Sequence, residues 1–339
     1  VNALPYGIIP SPPIVYTDAT CRTVDEEAYR AHLRYLLDHG VHGLCVGGHA
    51  GETECLTMDE RLRVIDIARE ESRGSVPVMG GVIADSTWSA IDQASALKEH
   101  GVDMILYCLP NIVGWDAETA DAMAIAHFTA IDKATKVPFL IYGGPGDKSS
   151  CRIMPKTFES LATACEYLVG MKIAVRGIAT GENSFTDCVA ALRRAGEKTG
   201  RTVNALIAGD ANLVGTFDAG GMGTVNACES VRVEENMPLY QAYMAGDHAT
   251  AVAIQARMKP LADVIYGLAI GRSFTYFHYR FKIAAWMLGN IPNAYMRLPQ
   301  VPPPADEIAM IYDALVKVGK HPIHRPEEFA NAELAQSAA

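Results

Sequence analysis

Eight short apolar runs recur along this chain, most of them separated by longer segments whose apolar residues fall at helical spacing. The runs lie at Gly7–Pro10, Gly43–Gly48, Val76–Val82, Met104–Pro110, Pro138–Gly144, Leu168–Ala174, Asn204–Ala208 and Gly223–Ala227. They are almost wholly apolar instead of alternating, the pattern of strands covered on both faces. Between them, Glu26–Asp38, Met58–Glu71, Trp88–Glu99 and Ala117–Ala134 read as crossover helices. Thr57 and Glu60 form a capping-box pattern at the head of the second of these. Eight strand–helix units with buried strands predict an α/β fold, a parallel sheet closed as a (β/α)8 TIM barrel. The competing open, doubly wound sheet loses its dinucleotide-binding form, because no Gly-x-Gly-x-x-Gly follows the first run.

Beyond the eighth unit, Val233–Gly289 reads as two or three helices, Arg297–Pro304 as a proline-rich turn and Asp306–Val318 as a further helix. The expected organisation is a barrel over residues 1–230, a helical extension over 231–320 and a polar, alanine-rich tail over 321–339. The 339 residues are 49% hydrophobic and 20% charged, enough apolar material for one large core. A formal charge of -10 repels phosphate backbones and anionic lipid, so neither nucleic acid nor membrane is an expected partner. Eight cysteines, Cys45 and Cys108 among them within apolar runs, include no Cys-x-x-Cys pair, which reads as reduced, buried thiol instead of a disulfide framework or zinc site. With no apolar span of membrane length and no signal-like opening segment, the expected location is cytoplasmic.

Chemistry in such a barrel belongs at the C-terminal ends of the strands. Three groups fall there. Lys172 lies in Leu168–Ala174, and strand alternation puts it on one face with the small residues Gly170 and Ala174, leaving Val169, Met171 and Ile173 on the other. If the lysine face points inward, desolvation lowers its pKa and the neutral amine can attack a ketone. If it points outward, the side chain snorkels into water and does no chemistry. Tyr142 ends the run from Pro138 and precedes Gly143-Gly144-Pro145-Gly146. A phenol there can pass protons to a bound substrate, or serve only as a core tyrosine with its hydroxyl at the rim. The loop Gly47-Gly48-His49-Ala50-Gly51-Glu52-Thr53 offers backbone N–H groups for a carboxylate and an imidazole for acid–base work. A plain structural turn would use the same glycines.

Taken together and in this order, these motifs resemble the class I aldolases and lyases related to dihydrodipicolinate synthase and N-acetylneuraminate lyase, over most of the chain. Gly48-His49-Ala50-Gly51-Glu52 is similar to the family's carboxylate-binding loop, Tyr142 to its catalytic tyrosine and Gly170-Met171-Lys172 to its Schiff-base lysine. Gly209-Asp210 and Gly220–Val225 resemble the segments on the far side of the pocket. The resemblance implies Lys172, Tyr142 and His49 as catalytic residues, with Gly48, His49, Ala50 and the Val225 backbone as substrate contacts. It implies pyruvate or another 2-oxo acid and an aldehyde as reactants, no cofactor and no metal, and a homotetramer built as a dimer of dimers.

Three departures narrow the expected activity. His49 and Ala50 stand where the loop often has two hydroxyl residues, no tyrosine lies near Asn111 and Ile112, and Asp147 and Lys148 stand where the synthase has an arginine. These argue against the lysine-pathway synthase and against a sialic-acid lyase. The expected function is a Schiff-base lyase, a class I aldolase or hydratase-aldolase acting next to a pyruvate-derived 2-oxo acid, with Trp115 either a loop residue packed on the barrel rim or a lining residue of a larger apolar pocket. The alternative is a dehydratase of a 2-oxo-3-deoxy sugar acid using the same lysine. A non-catalytic 2-oxo acid sensor is disfavoured by the presence of both Lys172 and Tyr142.

Overall fold

A computed structural model describes residues 4–110, 119–145, 152–175, 178, 183–269, 271 and 276–329. Trp115, Asn111, Ile112, Asp147 and Lys148 lie outside these described residues, as does the chain beyond 329. Eight strands, β1 (Gly7–Pro10), β2 (Leu44–Val46), β3 (Val78–Val82), β4 (Met104–Cys108), β5 (Phe139–Gly143), β6 (Leu168–Ile173), β7 (Asn204–Ile207) and β8 (Gly223–Asn226), form one parallel sheet. Their order is β1-β8-β7-β6-β5-β4-β3-β2, so the ends of the sheet are β1 and β2. His42 joins those ends: its N–H donates to Ile8 O at 2.9 Å, and Ile8 N–H donates to its Nδ1 at 3.1 Å. The result is a nearly closed (β/α)8 barrel, as the apolar runs predict.

Helices α1 (Glu26–Asp38), α2 (Met58–Ser72), α3 (Thr87–Glu99), α4 (Ala120–Thr135), α5 (Pro155–Ala164), α6 (Phe185–Thr199) and α7 (Leu213–Asp218) alternate with the strands, and α8 (Glu229–Met244), α9 (His248–Ile265), α10 (Phe277–Met287) and α11 (Ala305–Lys317) follow them. Local chemistry sets their ends. Thr57 accepts from Glu60 N–H while the Glu60 side chain accepts from Thr57 N–H, completing the capping box read from the sequence. Ser184 and Asp187 do the same for α6, which stops at left-handed Gly200.

By compactness the chain falls into two units, one comprising the described residues of Val1–Ser11 and His42–Asn226, the other those of Pro12–Val41 and Ala227–Ala339. The first holds all eight strands. Its centre is a single apolar cluster to which every strand contributes: Ile9, Cys45, Met79, Met104 and Leu106, Leu140, Val169, Leu206 and Val225. A cluster with a member from every strand of a closing sheet is the barrel interior.

Val169 in that cluster corrects the simple alternation expected for β6. Phe139 pairs with Leu168 but Leu140 pairs with Gly170, so the register slips and Val169 is the extra residue of a bulge. It turns inward together with the face that carries Gly170 and Lys172.

The second unit holds α1 and α8–α11. His32 of α1 is buried, with Nε2 2.9 Å from Ser230 Oγ and Nδ1 3.2 Å from Asn290 O. The Asn290 carbonyl can only accept, so Nδ1 carries the proton and Nε2 accepts from the serine. Arg280 and Glu307 form a buried ion pair at 3.1 Å that ties α10 to α11.

Two buried histidines should make this fold acid-sensitive. Desolvation lowers the pKa of His32 from 6.5 to about 4, and that of His127, whose Nδ1 lies 2.9 Å from Thr87 Oγ1 in the barrel unit, also to about 4. Below pH 6.5 the unfolded chain takes up protons that the native protein refuses. Stability is therefore full above that pH and falls as pH drops toward 4, by up to roughly 3 kcal/mol per histidine. Urea denaturation between pH 7.5 and 4.5 should show this decline, and a His32→Gln, His127→Gln double variant should show a shallower one. Equal slopes in the two proteins would remove these histidines as its cause.

Candidate active site

Strand register assembles the site. Tyr142 of β5 sits opposite Cys108 of β4 on one side and Lys172 of β6 on the other, and Lys172 sits opposite Leu206 of β7. Leu206 belongs to the interior cluster and Tyr142 packs against it, so the face carrying Cys108, Tyr142 and Lys172 points into the barrel near the C-terminal strand ends. The inward reading of Lys172 holds. Its Nζ lies 4.7 Å from the centroid of the Tyr142 ring, and both residues are half-buried. Beneath them Cys45 is fully buried. Desolvation pushes its thiol up to about 11, opposed by the positive charge of Lys172 and the Ser11 hydroxyl.

The loop after β2 supplies the third group. Gly47 is left-handed, at φ +74°, and passes so close to β3 that a Cβ on Gly81 would lie 1.8 Å from Gly47 O. His49–Gly51 then forms a 3-10 turn in which Gly51 N–H donates to Gly48 O and Glu52 N–H to His49 O. Thr53 Oγ1 donates to Gly48 O at 3.2 Å and braces the turn from the far side. Glu52 is buried and left-handed, at φ 52°. His49 is thereby held with its ring edge on Tyr142, centroids 5.6 Å apart and planes at 67°. Its Nδ1 is 3.4 Å from Cys108 Sγ and its Nε2 3.3 Å from Glu54 Oε1.

The structure thus brings together Lys172, Tyr142 and His49, with Gly48 and Ala50 on the same loop as the histidine. Val225 of β8 is fully buried opposite Ile9, its side chain in the interior cluster. Asp210 is buried beside Gly209, whose carbonyl accepts from Thr224 Oγ1 at 3.0 Å. Sequence reasoning missed Cys108 and Glu54 as neighbours of the histidine. The inward parity of 104, 106 and 108 was available as a signal for the thiol. No helix among the described residues is long and apolar enough to cross a membrane.

Comparison with known proteins gives the family. The family model described as the dihydrodipicolinate synthetase family matches residues 7–316. A 4-hydroxy-tetrahydrodipicolinate synthase of Nitrobacter hamburgensis is 30% identical over 304 residues, covering 88% of this chain and 92% of its own. The synthase of Halorhodospira halophila is 30% identical over 254 residues, 75% of this chain and 79% of its own. Among solved structures, a prophage protein of the dihydrodipicolinic acid synthase family from E. coli K12, in complex with pyruvate, superposes with a TM-score of 0.81 at 22% identity, covering 93% of this chain and 99% of its own. Dihydrodipicolinate synthase from Aquifex aeolicus gives 0.78 at 22% identity over 94% and 100%. The family match over nearly the whole barrel and helical extension, joined to relatives at 30% identity, establishes that this chain belongs to the dihydrodipicolinate synthetase family, an enzyme family of the pyruvate-dependent class I aldolase type.

Proposed function

We propose that this enzyme is a Schiff-base lyase in which Lys172 condenses with the C2 ketone of a pyruvate-derived 2-oxo acid, and that the carbon–carbon bond made or broken lies beside that iminium. The observation that carries this is the register pairing of Lys172 with Tyr142, amine over phenol at 4.7 Å, at the catalytic end of the barrel. The amine adds to the ketone, and the carbinolamine loses water with a proton supplied by Tyr142. The Tyr142 phenolate then takes a proton from the substrate's C4 hydroxyl as the C3–C4 bond breaks, an aldehyde leaves, and the released electron pair passes into the iminium to give the enamine. Protonation of the resulting enamine and hydrolysis return the lysine and free pyruvate. Gly48, His49 and Ala50 would hold the substrate carboxylate with backbone N–H groups, Val225 would contribute its backbone, and His49 would take the relay role that hydroxyl residues have elsewhere in the family.

The curated relatives named above are synthases, and this chain carries an imidazole and a methyl group in the loop where the hydroxyl pair often stands. That substitution is why we place it in the hydratase-aldolase branch, acting on an unsaturated or hydroxylated 2-oxo acid. The pyruvate complex of the E. coli relative supports pyruvate as the shared half of the substrate. We further read the protein as a cytoplasmic homotetramer, the assembly its family resemblance implies.

Incubation with pyruvate and borohydride, followed by intact mass and peptide mapping, tests the reading. The expected result is one pyruvate-sized adduct, on Lys172. Absence of any adduct with pyruvate and with a panel of longer 2-oxo acids would overturn it.

A further inference from the structure

We propose that Glu54, His49 and Cys108 form a proton-transfer line that makes Cys108 a nucleophilic thiol, a covalent-modification site for small soft electrophiles such as alkyl halides and α,β-unsaturated carbonyl compounds. The three side chains do not converge on a point as metal ligands would, and no such convergent group occurs among the described residues. They lie in sequence, with the imidazole in the middle: Glu54 Oε1 is 3.3 Å from Nε2, and Cys108 Sγ is 3.4 Å from Nδ1. A carboxylate accepts hydrogen bonds, so Nε2 carries a proton and donates to Glu54. Nδ1 is then left to accept from the Cys108 thiol. The acid orients the base, and the base faces the nucleophile, which is the arrangement that activates thiols and hydroxyls on unrelated folds.

The step balances without any redox partner. With an unsaturated carbonyl compound, Sγ bonds to the β carbon, the alkene pair moves to the α carbon, and the thiol proton passes through His49 Nδ1 to that carbon. With an alkyl halide, the carbon–halogen bond breaks, halide leaves, and the proton stays on His49 beside the Glu54 carboxylate. Glu54 is a positioning residue in both cases.

The other described thiols set the contrast. Cys45, Cys165 and Cys188 are buried, and desolvation holds them up to about 11, 12 and 12, so they should be inert. Cys55 alone among the described cysteines is not buried, so exposure by itself puts Cys55 first in any labelling order. Cys108 is 6% exposed and lies on the inward face beside half-buried Tyr142 and His49, so the proposal requires a reagent small enough to enter between those two side chains.

The test is timed iodoacetamide labelling of the native protein, read by peptide mapping, in wild type, Glu54→Gln and His49→Gln. The labelling needs no imine on Lys172, so it stands apart from the lyase reading. Cys108 should label before Cys55, and its rate should fall much less than the tenfold per unit of an ordinary thiol between about pH 8 and 6. Glu54→Gln should slow it about 10-fold and restore the steep thiol-like profile, and His49→Gln should slow it about 100-fold. Glu54 is exposed, so its variant should melt with wild type, and that control is measured alongside. Labelling of Cys55 first, with Cys108 as slow as Cys45, or a Cys108 rate and pH profile unchanged in Glu54→Gln, would overturn the proposal.

Discussion

Lys172→Ala should lose at least about 10⁴-fold in kcat for 2-oxo acid cleavage and take up no pyruvate under borohydride, because removing a covalent nucleophile removes the step that every later one needs. Lys172→Arg is the sharper variant. It keeps a cation on β6, but a guanidinium stays charged and cannot form the imine, so its activity should fall as far as that of the alanine variant. Fold is not at issue in either. Lys172 is half-buried, with Gly170 two residues before it and Tyr142 and Leu206 on the neighbouring strands, so truncation leaves the interior cluster of Leu140, Val169 and Leu206 intact. Thermal midpoints should therefore stay close to wild type. The measurement is kcat for pyruvate release from a 2-oxo acid substrate. An alanine variant retaining more than about a hundredth of wild-type kcat would show that Lys172 is not the covalent nucleophile, and an arginine variant well above the alanine one would show that its charge contributes.

That Lys172 was readable at all follows from the physics of buried parallel strands. An apolar run interrupted by one lysine leaves two orientations open in the sequence, and the register of Lys172 with Tyr142 and Leu206 on the neighbouring strands, which share their inner faces, gives the inward one. The strand and helix positions were legible for the same reason: covered strands and amphipathic helices imprint their periods on the chain. The bulge at Val169 was not, because nothing in Leu168-Val169-Gly170 fixes which residue is skipped. It depends on the register with Phe139 and Leu140, a property of two strands together. The array around His49 was legible only in part: the parity of 104, 106 and 108 turns the Cys108 thiol inward, but its partner could not be read. Cys108 and His49 are separated by 59 positions, and burial of a cysteine in an apolar run says nothing about which ring its sulfur meets. His32 is the extreme case, a helix histidine whose partner Asn290 lies 258 positions away.

Tyr142→Phe should lower kcat by about 10²- to 10⁴-fold, the range expected when a positioned acid–base group is deleted. This variant isolates the hydroxyl, since the ring that covers Lys172 Nζ at 4.7 Å and meets the His49 edge at 5.6 Å is retained. The net stability of one half-buried hydroxyl is about 1 kcal/mol, so the protein should remain folded and its loop undisturbed. Borohydride trapping of pyruvate should still occur on Lys172, but slowly, because the amine is present while the proton for carbinolamine dehydration must come from water. Tyr142→Leu removes the ring as well, and with it the surface against which His49 and the lysine are set. It should therefore lose more kcat than the phenylalanine variant and also raise KM for the 2-oxo acid. If phenylalanine and leucine behave alike, Tyr142 acts by packing. If phenylalanine is near wild type while His49→Gln is crippled, the proton relay runs through the imidazole alone, and the phenol serves only to hold the amine where the ketone arrives.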